Sequence, residues 1–267
     1  MWGWKSETGQ LKDISCRDLL RMLETTGQII LPPQKRHGAV KGKKGWECDQ
    51  LSFFDQVEHE PIEAKLKSVI PLDIEVADAR DKIGEFKSLI DQYHYLGYGR
   101  SVGECIRYTV KGKDGVMLAC LMFGSSAWRC ASRDKYIGWT DEERQEKLYL
   151  TTNNTRFLIL PWVRIPYLAS HILSLITRRI SQDWQTKYGH PLYLLETFVE
   201  RDRFAGTCYK AANWTRVGET TGRGRDSLST RPTLPIKDVY VRPLTMGFRK
   251  KLVSHNLSNQ GKGDDDQ

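Results

Sequence analysis

An α+β fold built on a mixed sheet is what the order of patterns in this 267-residue chain predicts. Three observations carry that reading. Apolar residues recur with period two in some stretches and every three to four residues in others, without a regular strand–helix repeat. Asp114-Gly115 stands between two apolar runs as a hairpin turn, which makes at least two strands antiparallel. The helical pattern after Pro166 has a strand pattern on either side, which reads as a parallel crossover, right-handed by default.

Each element has its own justification. In residues 1–33, Asp13 caps a helix whose Cys16, Leu19, Leu20 and Leu23 share one face. Gly27 closes it, and a short strand runs into Pro32-Pro33, giving a small N-terminal helix–strand module. Residues 34–68, rich in glycine and lysine at their start, read as a basic linker. The core is expected over 69–252. Ile70, Leu72, Ile74 and Val76 alternate as a strand, and Ala79, Ile83, Phe86, Ile90 and Tyr93 mark a helix with Asp78 and Asp81 at its positive end. Strands over 104–110 and 116–124 flank the hairpin turn, and Thr140 to Glu143 is a capping box opening a short surface helix. Residues 156–163 read as a strand in which Pro161 implies a bulge or an edge. Pro166 suits the first turn of the next helix, 192–199 is a buried strand, a short helix follows Gly206, and 236–241 is the last strand. Residues 253–267 read as a polar tail.

Composition removes several classes. Hydrophobic residues at 39% and charged ones at 28% describe a soluble globular protein, and no run reaches the roughly 18 apolar residues of a membrane helix. The start, Met1-Trp2-Gly3-Trp4-Lys5, has no apolar core of a secretion signal, so a cytoplasmic location away from membranes is expected. Cysteines at 16, 48, 105, 120, 130 and 208 form no C-x-x-C pair, so they read as reduced core thiols and no metal is expected. A Walker loop, a Ser/His/Asp order and a paired-carboxylate word are all missing, which leaves hydrolysis and phosphoryl transfer without support.

The net charge of +8 is concentrated. Residues 201–251 hold 12 Lys and Arg against 4 Asp and Glu, and a second cluster, Lys35, Arg36, Lys41, Lys43 and Lys44, contains no acid. Positive charge gathered in this way favours a polyanion, and nucleic acid is the commonest in a cell. Within the first region, Gly206 to Arg225 crowds small residues, aromatic rings and arginines together. Tyr209, Lys210 and Asn213 form the polar edge of a short helix backed by Ala211, Ala212 and Trp214, and Gly222-Arg223-Gly224-Arg225 brings guanidinium groups toward phosphate. The expected nucleic-acid contacts are Arg164, Arg203, Lys210, Asn213, Arg216, Arg223 and Arg225, with DNA favoured over RNA.

Three residues are candidates for chemistry. Glu196 lies in the apolar run Leu194-Leu195-Glu196-Thr197-Phe198, where an acid is either paired, with Arg156 or Arg107, or a general base whose pKa burial raises. Tyr209 can supply a phenol acid, with Cys208 beside it as a thiol or a packing residue. His94, at a helix end beside three glycines, is either structural or within reach of a ligand.

Several long words stand in fixed order: Tyr93-His94-Tyr95-Leu96-Gly97, Ile137-Gly138-Trp139, the stretch from Asn153 to Val163, Leu168-Ala169-Ser170, Leu195-Glu196-Thr197-Phe198-Val199, and the stretch from Gly206 to Trp214. Together they resemble the DruA family from about Gly9 to Leu252. That resemblance implies a component of the Druantia anti-phage systems of bacteria, working with the other proteins of its system. The family also occurs beside or fused to transposases, so a transposase partner and element DNA form the rival reading. A more distant resemblance to Mom-like DNA-modifying proteins and to the GNAT acyltransferase fold implies a GNAT-like mixed sheet flanked by helices. It also implies, as an alternative, an enzyme acting on nucleic acid through Glu196, Tyr209 and His94, and whether the chain is an enzyme stays open. A GNAT binds the pyrophosphate of acetyl-CoA on a glycine-rich loop before a helix. Here Pro166 removes a donor and Tyr167 adds bulk, so no acetyl-CoA or other cofactor is expected.

Overall fold

A computed structural model describes residues 60–99, 103–222 and 234–253. The chain divides into two compact units, Met1–Val57 and Glu58–Gln267, and all described residues belong to the second. The expected N-terminal module, most of the expected linker and the tail beyond Val253 lie outside the described residues.

The elements follow in this order: β1 (Ile62–Glu63), α1 (Leu66–Val69), β2 (Asp73–Val76), α2 (Arg80–Tyr93), β3 (Cys105–Lys111), β4 (Met117–Ser125), α3 (Ala131–Ile137), α4 (Asp141–Lys147), β5 (Thr151–Ile159), β6 (Val163–Arg164), α5 (Leu168–Tyr188), β7 (Leu194–Glu200), α6 (Thr207–Ala211), β8 (Thr215–Glu219), β9 (Lys237–Pro243) and α7 (Phe248–Leu252). Seven strands form one mixed sheet in the order β2-β3-β4-β5-β7-β9-β8, and β1 pairs with β6 separately. Within the large sheet every neighbouring pair is antiparallel except β5 and β7. The mixed α+β architecture is thus present, with the hairpin at Asp114-Gly115 and the parallel crossover through α5 as expected.

Local chemistry accounts for the boundaries. Thr140 accepts from the Glu143 N–H while the Glu143 carboxylate accepts from the Thr140 N–H, so the capping box fixes the start of α4. α5 runs for 21 residues with Leu168, Ile172, Ile176, Ile180 and Trp184 on its buried side, and Gly189 in a left-handed conformation ends it. The expected strand at 156–163 begins instead at Thr151, and Pro161 falls after its end. Its polar start, Thr151-Thr152-Asn153-Asn154, is held by side-chain bonds such as Thr152 Oγ1 to the Gly124 carbonyl at 2.7 Å, which a polarity pattern does not reveal. The end of the expected linker, residues 62–68, holds β1 and all of α1 but Val69, and β1 pairs in parallel with β6. α3, β8 and α7 have no counterpart in the sequence reading.

The core has two apolar clusters. The larger joins α2 and α5 to the strands, with Phe86, Ile106, Leu121, Phe123, Ile176 and Trp184 fully enclosed. The smaller gathers Ile137, Trp139, Leu194, Val241, Phe248 and Leu252 from α3, β7, β9 and α7. β7 contributes to both, Leu194 to the smaller and Leu195 to the larger, as expected for a strand whose successive side chains point to opposite faces.

The sheet parts at its parallel pair. β5 and β7 are paired only from Thr151↔Leu194 to Asn154↔Thr197, although β5 continues to Ile159 and β7 to Glu200. Beyond that point β5 stays with β4 and β7 stays with β9. The register of β5 on β4 slips here, since Met122 faces Arg156 and Phe123 faces Asn154, which leaves Thr155 as an extra residue. Such a bulge bends its strand, and the bend turns β5 away from β7.

Candidate functional site

A cavity of 490 Å³ occupies the gap between the parted strands. Its walls come from β5 (Asn154, Thr155 and Phe157), β7 (Thr197), the end of α2 (His94 and Tyr95) and the segment Phe204 to Tyr209. Among the described residues no Lys, Arg, Asp or Glu lines it. Its size falls in the range of small-molecule pockets, which commonly run about 300–1,000 Å³.

Tyr209 reaches the cavity because α6 starts abruptly after Gly206. That glycine has φ +66°, and a Cβ there would stand 2.6 Å from the Tyr240 hydroxyl, so neither the conformation nor the space admits a side chain. The Tyr209 hydroxyl donates to Asn154 Oδ1 at 2.7 Å. Trp214 meets its ring edge-on at 5.1 Å and Tyr240 stacks on it at 6.0 Å. Burial holds this phenol well above its ordinary range, so it stays protonated. Cys208, also in the wall, has its thiol pushed up by burial.

His94 is the residue after the last turn of α2, and its N–H donates to the Ile90 carbonyl. Nδ1 accepts from the Leu96 N–H at 3.2 Å, so the neutral ring carries its proton on Nε2. Burial, helped by the Arg156 charge, pushes His94 down to about 4 and keeps it neutral at pH 7. Its ring stacks on Tyr95 at 4.9 Å, Tyr95 meets Phe204 at 5.5 Å, and Arg203 lies 5.0 Å over the Tyr95 ring. Tyr95 and Phe204 are 39% and 50% exposed, so the mouth of the cavity is an aromatic pair open to solvent beside one guanidinium.

The structure brings His94 and Tyr209 to one cavity but sets Glu196 elsewhere. Glu196 and Arg133 are both 0% exposed, and Arg133 Nη1 stands 2.8 Å from Glu196 Oε2. Oε1 accepts from the Ala127 N–H at 2.7 Å. The partner is therefore Arg133 of α3, and neither of the two expected arginines. Arg156 donates to the Gly97 and Thr155 carbonyls, and Arg107 donates to the Tyr98 hydroxyl. Burial pushes the Glu196 carboxyl up while Arg133 and the Ala127 N–H pull it back. Burial also works against the Arg133 charge, but Glu196 and Asp134 outweigh it, so the guanidinium stays charged. Asp134 continues this network to Arg144, which is nearly as buried. Nothing in the sequence pattern distinguished Arg133 from an ordinary surface arginine of a short helix.

The expected nucleic-acid contacts are scattered. Arg164 pairs with Glu63 at 3.0 Å in the open, and Arg203 pairs with Glu200 at 2.9 Å. Arg216 shares Asp238 and Glu219 with Arg201. Lys210 and Asn213 are exposed on and just after α6, with Asn213 left-handed at φ +60° and its carbonyl accepting from Arg242. Arg223 and Arg225 lie outside the described residues. Exposed ion pairs of this kind are worth about 0–1 kcal/mol, so these arginines can exchange a carboxylate for a phosphate at little cost. Sequence reasoning missed Asn154, Thr155 and Phe204; the first two lie inside a motif word whose individual roles the sequence does not separate. Among the described residues no group of His, Cys, Asp and Glu is arranged to hold a metal ion, and no helix is long and apolar enough to cross a membrane.

The sequence profile of the Druantia protein DruA matches residues 23–231. The chain belongs to the DruA family. Membership makes this DruA-family chain a defence-system component. No curated protein matches it. Similar solved structures include the spermidine/spermine N-acetyltransferase SpeG from Vibrio cholerae with manganese ions, at 8% identity over 67% of this chain and 96% of that one, with a TM-score of 0.41. The spermidine N-acetyltransferase from Vibrio cholerae with CoA and spermine is 9% identical over 65% of this chain and 95% of that one, with a TM-score of 0.42. An N-acetyltransferase from Staphylococcus aureus Mu50 is 10% identical over 65% and 97%, with a TM-score of 0.38. Likenesses of this depth say nothing about the activity of the DruA-family chain.

Proposed function

We propose that this defence-system component binds nucleic acid, DNA in preference to RNA, in the cytoplasm and together with other proteins of its system. One observation carries the reading: exposed Tyr95 and Phe204 meet at 5.5 Å with the Arg203 guanidinium 5.0 Å over the Tyr95 ring. Aromatic faces beside a cation are what single-stranded nucleic acid uses, with base stacking worth about 1–3 kcal/mol per base. Backbone charge is met by Arg203, Lys210 and Arg216 at the surface and by the Gly222–Arg225 tract of the sequence, within a region holding 12 of the chain's 41 Lys and Arg. Arg164 pairs with Glu63 of β1, and contributes on this reading only if bound nucleic acid reaches it.

Titration of labelled single-stranded and duplex DNA at several salt concentrations tests this. Binding should weaken steeply with salt, and Arg223→Ala with Arg225→Ala should flatten the log–log slope for single strands by about 1.4, at about 0.7 per phosphate contact. Absence of binding at low salt would end the proposal, and an unchanged slope would remove the two arginines from it.

A further inference from the structure

The cavity behind the aromatic mouth has a chemistry that selects its occupant. Its 490 Å³ are bounded by aromatic rings, aliphatic side chains and neutral polar groups, and among the described residues no charged side chain lines it. A phosphate, a carboxylate or an ammonium group buried there would lose its water without gaining a counter-ion, which is costly. The occupant is therefore neutral where it enters. It is also flat, because Tyr95, Phe157, Phe204 and Tyr209 present ring surface around a gap opened by the departure of one strand from another.

Polar groups inside the cavity are largely committed. Asn154 spends its Nδ2 hydrogens on the Met122 and Arg156 carbonyls and accepts from Tyr209 at Oδ1. Thr155 and Thr197 donate to the backbone carbonyls of Met122 and Asn154. Groups open to a ligand include lone pairs on the oxygens of Tyr209, Thr197, Thr155 and Asn154, the hydroxyls of Tyr93, Tyr95 and Thr207, and the Nε2–H of His94, whose Nδ1 is occupied. A ligand with ring N–H or amino donors and at least one ring acceptor matches this set.

Resting on the reading that the chain binds nucleic acid, we infer that the cavity between β5 and β7 holds a single unstacked nucleobase, while the attached sugar and phosphates stay outside beside Tyr95, Phe204 and Arg203. A neutral planar heterocycle fits the described walls, and its phosphates would meet the Arg203 guanidinium at the mouth. The protein thus engages DNA that offers an unpaired base, and intact duplex is the poorer ligand.

The test compares, on the full chain, a mixed-sequence single-stranded 10-mer with an abasic deoxyribose-phosphate chain of equal length and charge. The abasic chain should bind roughly tenfold weaker or worse, the equivalent of at least one stacked base at about 1.4 kcal/mol per decade. Ala205→Trp adds bulk from an exposed position that lines the cavity, so it should bring the 10-mer down to the affinity of the abasic chain with melting unchanged. A second measurement is independent of any variant: a 5-iododeoxyuridine oligonucleotide, photo-crosslinked to the wild-type chain, should form its adduct on Tyr95, Phe204 or Tyr209. Equal binding of the two chains, or an adduct confined to another surface, overturns the base pocket and leaves nucleic-acid binding standing. Binding of neither chain at low salt overturns both.

Discussion

The two sides of β7 solve opposite electrostatic problems. On one side Glu196 lies with Arg133 in complete burial, each charge met by the other and by backbone groups. On the other, Thr197 faces a cavity with no charged side chain among its described lining residues, open through an aromatic mouth. One residue along the strand thus separates an enclosed ion pair between α3 and the sheet from a cavity which, on our proposal, admits something flat and neutral. The lesson concerns buried acids: a carboxylate amid Leu and Phe reads in the sequence as a catalytic candidate, and in the structure it stands fully enclosed with Arg133, away from the cavity.

The largest expected effect lies on the charged side. Glu196→Gln leaves the buried Arg133 with Asp134 as its remaining carboxylate, so unfolding in denaturant should show a loss of up to the roughly 3–5 kcal/mol of a buried pair broken outright. A variant of near wild-type stability would mean that Glu196 is not what holds α3, and it would return this residue to consideration as a reacting group.

A smaller effect sharpens the neutral side. His94 has a folded pKa of about 4 against an ordinary 6.5. As pH falls through 6.5 the unfolded chain takes up a proton that the folded chain refuses until about 4, so stability present above 6.5 is lost progressively across that interval. His94→Gln removes this contribution. Melting temperatures of the two proteins should converge toward pH 4, with the variant showing the flatter decline; parallel curves would show that the imidazole is not held neutral. Acids whose pKa values are lowered, such as Glu75 and Asp238, act alike in both proteins and cancel in the comparison.

Much of the fold was legible because most strands and both long helices carry clean periodicity. α2 and α5 show their buried faces every three to four residues, and Asp114-Gly115 announces its hairpin. Less visible were elements held by polar bonds. Thr151 to Asn154 reads as a loop until its hydroxyls and amides find the carbonyls of β4, and β8 hides in a basic, glycine-containing run at the sheet edge. For the site, Tyr209 and His94 stood out as polar groups in unusual company, and the structure places both in the cavity wall. The bulge at Thr155 and the distant partner Arg133 are products of register and of contacts between residues 63 apart, and no local pattern encodes either.

Protection itself gives the most direct test of the claim that the neutral side is the working side. A plaque assay on the complete defence locus should compare wild type with Tyr95→Ala plus Phe204→Ala, two half-exposed positions at the mouth, while melting is followed on the purified protein. The account predicts a folded protein with melting close to wild type and protection lost. Full protection by that double variant would contradict it.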